Sequence, residues 1–222
     1  MPELEMDILK TGFTTLRGVF SPSEIALFRE QALKFFSQGG GFPDSTGRAH
    51  PDWIKTSQLK TMYAIWSSKN IPGLISKLIG QKVEFIGHSD LHLNRNVGWH
   101  KDRLNNEAKK FELNNPWEVC NGETMKIYKA NLYLQAHDDN YDGLIVREGS
   151  HLTETMDDGE VSVIHPSIGD VVVFDQRITH MAQWSGGYDR LLICMGYGVN
   201  NIFFEQFKKG TEFRQAKQND RA

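Results

Sequence analysis

From residue 82 the hydrophobic pattern of this 222-residue chain changes from the period of a helix to the period of a strand, and apart from the polar, poorly periodic stretch 103–126 it stays there until about residue 198. In KVEFIGHSDLHLN, Val83, Phe85, Gly87, Ser89, Leu91 and Leu93 fall on one side. Glu84, Ile86, His88, Asp90, His92 and Asn94 fall on the other. Further strands are expected at 127–135 (IYKANLYLQ), 143–148 (GLIVRE), 170–175 (DVVVFD) and 190–198 (RLLICMGYG). The turn signals HDDNYDG, DDGE and WSGGYD stand between them. Strands that follow one another without crossover helices imply a closed or double-sheet β core.

The helices come first. Ser21 is placed to cap a helix, Pro22 suits its first turn, and Glu24 completes a capping box. Ile25, Leu27, Phe28, Ala32, Phe35 and Phe36 then form one apolar stripe, which Gly39-Gly40-Gly41 terminates. Residues 39–52 read as a mobile loop. A second helical region spans about 56–80, broken at Ile71-Pro72-Gly73 and closed by Gly80. The fold class is therefore α+β, one domain over 1–222 with its core at about 7–205. The polar stretch 103–126 is either a lid over an active site or a peripheral helix plus loop. The polar tail 208–222 reads as a frayed terminal helix or disorder.

Composition excludes several function classes. With 25 basic and 28 acidic residues the net charge is −3, so no basic excess drives phosphate-backbone binding, and no nucleic-acid partner is expected. Two cysteines, Cys120 and Cys194, cannot staple a scaffold and read as free thiols. No apolar run reaches membrane-spanning length, and the N-terminus lacks an apolar signal core. A cytoplasmic protein with no membrane partner is expected; the oligomeric state is not written in the sequence.

The chemical signal is His100-Lys101-Asp102. In an extended chain an imidazole and a carboxylate two apart point to the same side. With one more histidine they form a two-His-one-carboxylate face, which suits non-haem Fe(II) and oxygen chemistry. His180 is the candidate third ligand. His-x-Asp occurs three times, at 88/90, 100/102 and 137/139, so spacing alone does not choose. His137 leads into a turn and is expected at the surface. His88 and Asp90 remain the rival pair, while His100 has the better context after the bend at Asn96-Val97-Gly98. Arg190, beyond the turn WSGGYD, could hold a carboxylate bidentately. In a hairpin centred on Gly186 it would share a face with His180; centred between Gly186 and Gly187, it would not.

Residues 100–102, GLIVREGSHL at 143–152 and GDVVVFDQRITHMAQWSGGYDR at 169–190 together resemble the phytanoyl-CoA dioxygenase-like family of Fe(II)- and 2-oxoglutarate-dependent oxygenases. TGFTTLRGVFSPSEIALFREQAL is similar to that family's opening strand and helix, so the resemblance covers about residues 7–200. It implies a double-stranded β-helix (jelly-roll) core with N-terminal helices packed on one sheet. It implies Fe(II) on His100, Asp102 and His180, with 2-oxoglutarate and O2 as cosubstrates. Arg190 then matches the clamp for the far carboxylate of 2-oxoglutarate, and His92 and Asn131 fall where the family lines the cosubstrate pocket. Two positions depart from the family pattern. Ala182 stands where a small hydroxyl residue is common, and Glu148 where proline is usual before Gly-Ser-His. His151 in that string reads as structural. Asp102 disfavours halogenation, which needs a small residue there. Trp53, Trp66, Trp99, Trp117 and Tyr128 are core residues or pocket walls. The implied activity is hydroxylation of a small metabolite or natural product, with release of succinate and CO2. The alternatives are a non-catalytic jelly-roll module that binds metal or ligand, an oxygenase acting on a macromolecule, and a zinc hydrolase.

Overall fold

The computed structural model describes residues 7–103, 109–137 and 143–219. A short helix α1 (Asp7–Thr11) and strand β1 (Phe13–Leu16) lead into the first long helix, α2 (Pro22–Ser37). Its start is the capping box that the sequence specifies. Ser21 Oγ accepts from the Glu24 N–H, and the Glu24 carboxylate accepts from the Ser21 N–H. Ile25, Phe28, Ala32, Phe35 and Phe36 are its buried face.

The expected mobile loop at 39–52 is instead a hairpin, β2 (Phe42–Asp44) and β3 (Gly47–Pro51). Asp44 Oδ1 accepts from the N–H and Oγ1 of Thr46 and so ties the turn. Gly47 has φ 140°, and a Cβ there would stand 2.6 Å from the Asn94 carbonyl oxygen, so only glycine fits. Turn chemistry that reads as looseness in sequence here makes a tight edge hairpin. Helices α3 (Lys60–Ser68) and α4 (Ile71–Ile79) follow, with Gly80 in the left-handed conformation closing α4.

The remaining strands are β4 (Glu84–Leu93), β5 (Val97–His100), β6 (Ile127–Tyr133), β7 (Leu144–Arg147), β8 (Val161–Ile164), β9 (Val171–Asp175), β10 (His180–Ala182) and β11 (Leu191–Gly198). All pair antiparallel. They form a seven-stranded sheet, β1-β9-β6-β11-β4-β3-β2, and a four-stranded sheet, β5-β10-β7-β8.

Alternation sorts the large sheet's residues into two layers. Leu91, Ala130, Leu132, Val171, Val173, Leu191 and Ile193 face out and share one core with Ile25, Phe28, Trp53 and Trp66. Tyr133, Val172, Phe174 and Leu192 face in and pack against Leu144, Val146 and Ile164 of the small sheet. Beyond this inner apolar patch the inward positions turn polar: His88, Asp90 and His92 on β4, Lys129 and Asn131 on β6.

Of the two alternatives for the tail, the helix holds over its described residues: α5 (Ile202–Asn219) runs through it, and Thr211 and Gln215 are buried, so it is packed rather than frayed, while 220–222 lie outside the described residues. Ahead of the tail, Phe203, Phe204 and Phe207 of the same helix bury against Ile86, Met125 and Ile127. Within 103–126, residues 104–108 lie outside the described residues. The rest is loop with one short helical turn at Lys109–Phe111, and Phe111 packs on Phe213 of α5 at 5.6 Å. No helix among the described residues is long and apolar enough to cross a membrane. Cys120 and Cys194 are free.

Candidate metal centre

His100 ends β5 and His180 begins β10. The two are direct cross-strand partners, with ring centroids 4.2 Å apart. Each imidazole is aimed by a backbone carbonyl two residues upstream: His100 Nδ1 lies 2.8 Å from Gly98 O and His180 Nδ1 3.0 Å from Ile178 O. A carbonyl only accepts, so each Nδ1 carries the proton and each Nε2 keeps its lone pair. Asp102 brings Oδ1 to 3.6 Å from His100 Nε2 and Oδ2 to 3.8 Å from His180 Nε2. The three ligand atoms lie within 4.8 Å of one another and could hold one metal ion.

Electrostatics suit that role. Burial pushes His180 down to about 4, so it is neutral at pH 7. Burial also pushes His100 down, but the Asp102 carboxylate and the Gly98 carbonyl outweigh it and leave its pKa raised. Burial opposes ionisation of Asp102, yet Lys129 and the two imidazoles hold its carboxyl well below the usual range.

Lys101, between the two candidate ligands, points away from them. Its ammonium donates to the carbonyls of Ser150, Thr153 and Arg177 at 2.6, 3.1 and 2.9 Å. It pins the His-x-Asp segment to the turns that follow β7 and β9.

The candidate centre opens on a cavity of about 310 Å³ between the two sheets. Arg190 stands on the large-sheet wall and is 1% exposed. Both hairpin registers considered for 180–190 are overturned. β10 belongs to the small sheet and β11 to the large one, so the chain crosses between sheets at Gly186-Gly187, both at positive φ. Arg190 shares the cavity with His180 because the sheets face each other. Asn94 fixes it: Asn94 Oδ1 accepts from the Arg190 N–H at 2.7 Å, and the Asn94 N–H donates to Arg190 O at 2.8 Å.

Arg190 Nη1 donates to Arg95 O at 3.2 Å, whereas its Nε and Nη2 have no partner although buried. Tyr133, whose ring lies 5.3 Å beneath the guanidinium, has an unpartnered hydroxyl, and Asn131 an unpartnered Oδ1. Buried polar atoms are normally satisfied, so a cluster of orphans lining one cavity marks the place of a polar ligand. Their chemistry, two guanidinium donors and a phenol, fits a carboxylate.

No protein-family model and no curated protein matches the chain. Solved structures do. AviO1 from Streptomyces viridochromogenes Tue57 is 19% identical, with 89% of this chain and 94% of that one covered and a TM-score of 0.68. HygX from Streptomyces hygroscopicus, solved with nickel, 2-oxoglutarate and hygromycin B, is 18% identical over 90% and 88% of the two chains, TM-score 0.68. The epimerase SnoN, in complex with Fe3+, alpha-ketoglutarate and nogalamycin RO, is 16% identical over 90% and 87%, TM-score 0.67. The chain has the fold of non-haem 2-oxoglutarate-dependent enzymes.

Of the other candidate residues, His92 lines the same cavity with its Nε2 3.5 Å from Asp90 Oδ2. The rival pair His88 and Asp90 is engaged elsewhere. His88 Nε2 accepts from Lys129 Nζ at 2.8 Å, and Arg214 of α5 donates twice to Asp90, at 2.9 and 2.7 Å. His137 is half-buried against Tyr133, ring centroids 4.5 Å apart, rather than at the surface. His151 is buried away from the centre, its Nε2 3.3 Å from Leu9 O. Ala182 lines the cavity, Trp53 and Trp66 are core, and Trp99 faces solvent. Tyr133, Lys129 and Arg214 were not singled out in the sequence, although Lys129, Asn131 and Tyr133 share one face of their strand by simple alternation.

Proposed function

We propose that this protein is an Fe(II)/2-oxoglutarate-dependent dioxygenase of the phytanoyl-CoA dioxygenase-like kind, its two facing sheets forming a jelly roll, and that it hydroxylates a small-molecule metabolite or natural product. One observation carries the reading. A His-Asp-His group and a buried arginine with two idle donors line the same cavity from opposite sheets. His100, Asp102 and His180 would hold the iron. Such a site supplies, when loaded, the oxygen activation that couples conversion of 2-oxoglutarate to succinate and CO2 with oxidation of the prime substrate.

The chain's own residues do the rest. Arg190 Nε and Nη2 bind the far carboxylate, and Arg95 O holds the third edge of the guanidinium. Tyr133 remains protonated, because burial raises its pKa, and its hydroxyl donates where Ala182 offers none. Asn131 orients the cosubstrate through its side-chain amide. The inner apolar patch of Leu144, Phe174 and Leu192 excludes water from the site. The small-molecule reading is supported by the neighbours, HygX holding hygromycin B and SnoN nogalamycin RO, and by the net charge of −3.

Anaerobic titration of 2-oxoglutarate with and without Fe(II) tests this. Binding should require the metal and weaken in Arg190→Met. Metal-independent binding, or none, contradicts the reading.

A further inference from the structure

A second cavity, of about 120 Å³, lies between β4, β6 and α5 and adjoins the first, sharing His88, Asp102, Lys129 and Arg214 with it. Ile86 and Phe207 give it an apolar wall. Its polar lining includes His88, Asp102, Lys129, Gln176 and Thr211, together with Arg103 and Arg214. Three cations therefore face one carboxylate, in a chain whose net charge is −3.

The two arginines have carboxylates of their own. Arg103 pairs with Glu112 at 2.9 Å and Glu154 at 3.5 Å, and Arg214 holds Asp90 through two bonds. Lys129 has none. It is 4% exposed, its ammonium donates to His88 Nε2 at 2.8 Å, and the nearest carboxylate among the described residues is Asp102 at 4.0 Å. Asp102 is the candidate metal ligand, so a bound dication draws its charge away from Lys129. A buried ammonium without a counter-ion is costly, and an ammonium has three donors to satisfy. Beside it, Gln176 is 5% exposed, and its Oε1 is buried with no partner.

We propose that this cavity is the prime-substrate subsite and that it takes an organic acid. The acid's carboxylate pairs with Lys129, and a hydroxyl or N–H on the same molecule donates to Gln176 Oε1. This rests on the function proposed above, and it names the substrate class: a small carboxylate carrying a hydrogen-bond donor. The carboxylate anchors the molecule next to Asp102, where the reacting carbon faces the metal position.

The test uses the full chain loaded with redox-inert Ni(II) and saturated with 2-oxoglutarate, so that the Arg190 pocket is filled. Into it, 3-hydroxybenzoate and 3-hydroxybenzamide are titrated calorimetrically. The acid should bind at least about tenfold tighter than the amide, and Lys129→Met should bring the two affinities together. Gln176→Leu should weaken 3-hydroxybenzoate to the level of benzoate, an independent reading should Lys129→Met fail to fold by its melting curve. Equal binding of acid and amide, binding of neither, or an acid preference that survives Lys129→Met overturns the inference. Failure of 2-oxoglutarate to bind in the preceding titration overturns the proposed function instead. The acid-versus-amide comparison is read in the same cell and stands or falls by itself.

Discussion

The proposed cosubstrate clamp depends on a single buried guanidinium. Removing one partner of a buried, hydrogen-bonded charge pair costs about 2–5 kcal/mol, so Arg190→Met should weaken 2-oxoglutarate at least about thirtyfold by calorimetry. Arg190→Lys should not restore it, because a point charge cannot replace the fork of Nε and Nη2. Lys101 is a different case. It touches no candidate ligand atom, but three carbonyls depend on its ammonium. Lys101→Met should cost about 1–3 kcal/mol in urea unfolding and should also weaken metal binding, since the segment between His100 and Asp102 loses its anchor. His100 and Asp102 were one of three His-x-Asp pairs in the sequence, and spacing alone could not choose among them; what groups them with His180 is the pairing of β5 with β10, which no local pattern shows. Arg190 was legible by chemistry but not by geometry, since no local pattern says that a strand will leave one sheet for the other. Lys129 and Tyr133 stayed hidden among apolar neighbours in IYKANLY, where only the inward face is polar.

At the level of elements, α5 was the least readable. Its apolar residues cluster in the first turns, and the face it buries later is polar: Thr211 and Gln215, with Arg214 half-buried beside them. A helix that covers a polar cavity shows no apolar stripe, so its periodicity is invisible. Gln215 Nε2 donates to Gly87 O at 2.8 Å, and Arg214 grips Asp90. Arg214→Met should therefore destabilise the protein by about 3–5 kcal/mol in chemical denaturation, because Asp90 is left buried and uncompensated. Adding Asp90→Asn should recover much of that loss. The pair also shapes the acid limb. Burial pushes the Asp90 carboxyl up, but Arg214 and His88 outweigh it and hold it well below the ordinary value. A depressed folded pKa contributes stability above the unfolded value of about 3.9, and that contribution fades as pH falls below it. Melting temperature against pH should fall more shallowly below about pH 4 in Arg214→Met than in wild type. The hairpin at 42–51 was misread for the opposite reason to α5: Gly, Pro, Asp and Ser mark a turn, but not whether the flanks pair.

Over the whole molecule, two sheets and a helix close around one polar interior, and a metal ion there would tie β5 to β10. Binding to the folded state alone stabilises it by about 2.7 kcal/mol at a hundred times Kd, which should raise Tm by about 5–10 °C for a chain of this size. Fe(II) under argon, or Ni(II), should produce that shift, a chelator should reverse it, and Asp102→Ala should show none. Metal affinity should fall as pH drops through the raised pKa of His100, while His180, neutral down to about 4, adds no proton competition near neutrality. The most direct measurement is succinate. Protein is equilibrated anaerobically with Fe(II) and 2-oxoglutarate, oxygen is admitted, and succinate is quantified for wild type, Asp102→Ala and Arg190→Met. The account predicts succinate from wild type in an oxygen- and Fe(II)-dependent manner, and little or none from either variant. Wild type that binds metal yet makes no succinate, or Asp102→Ala that makes as much as wild type, would contradict it.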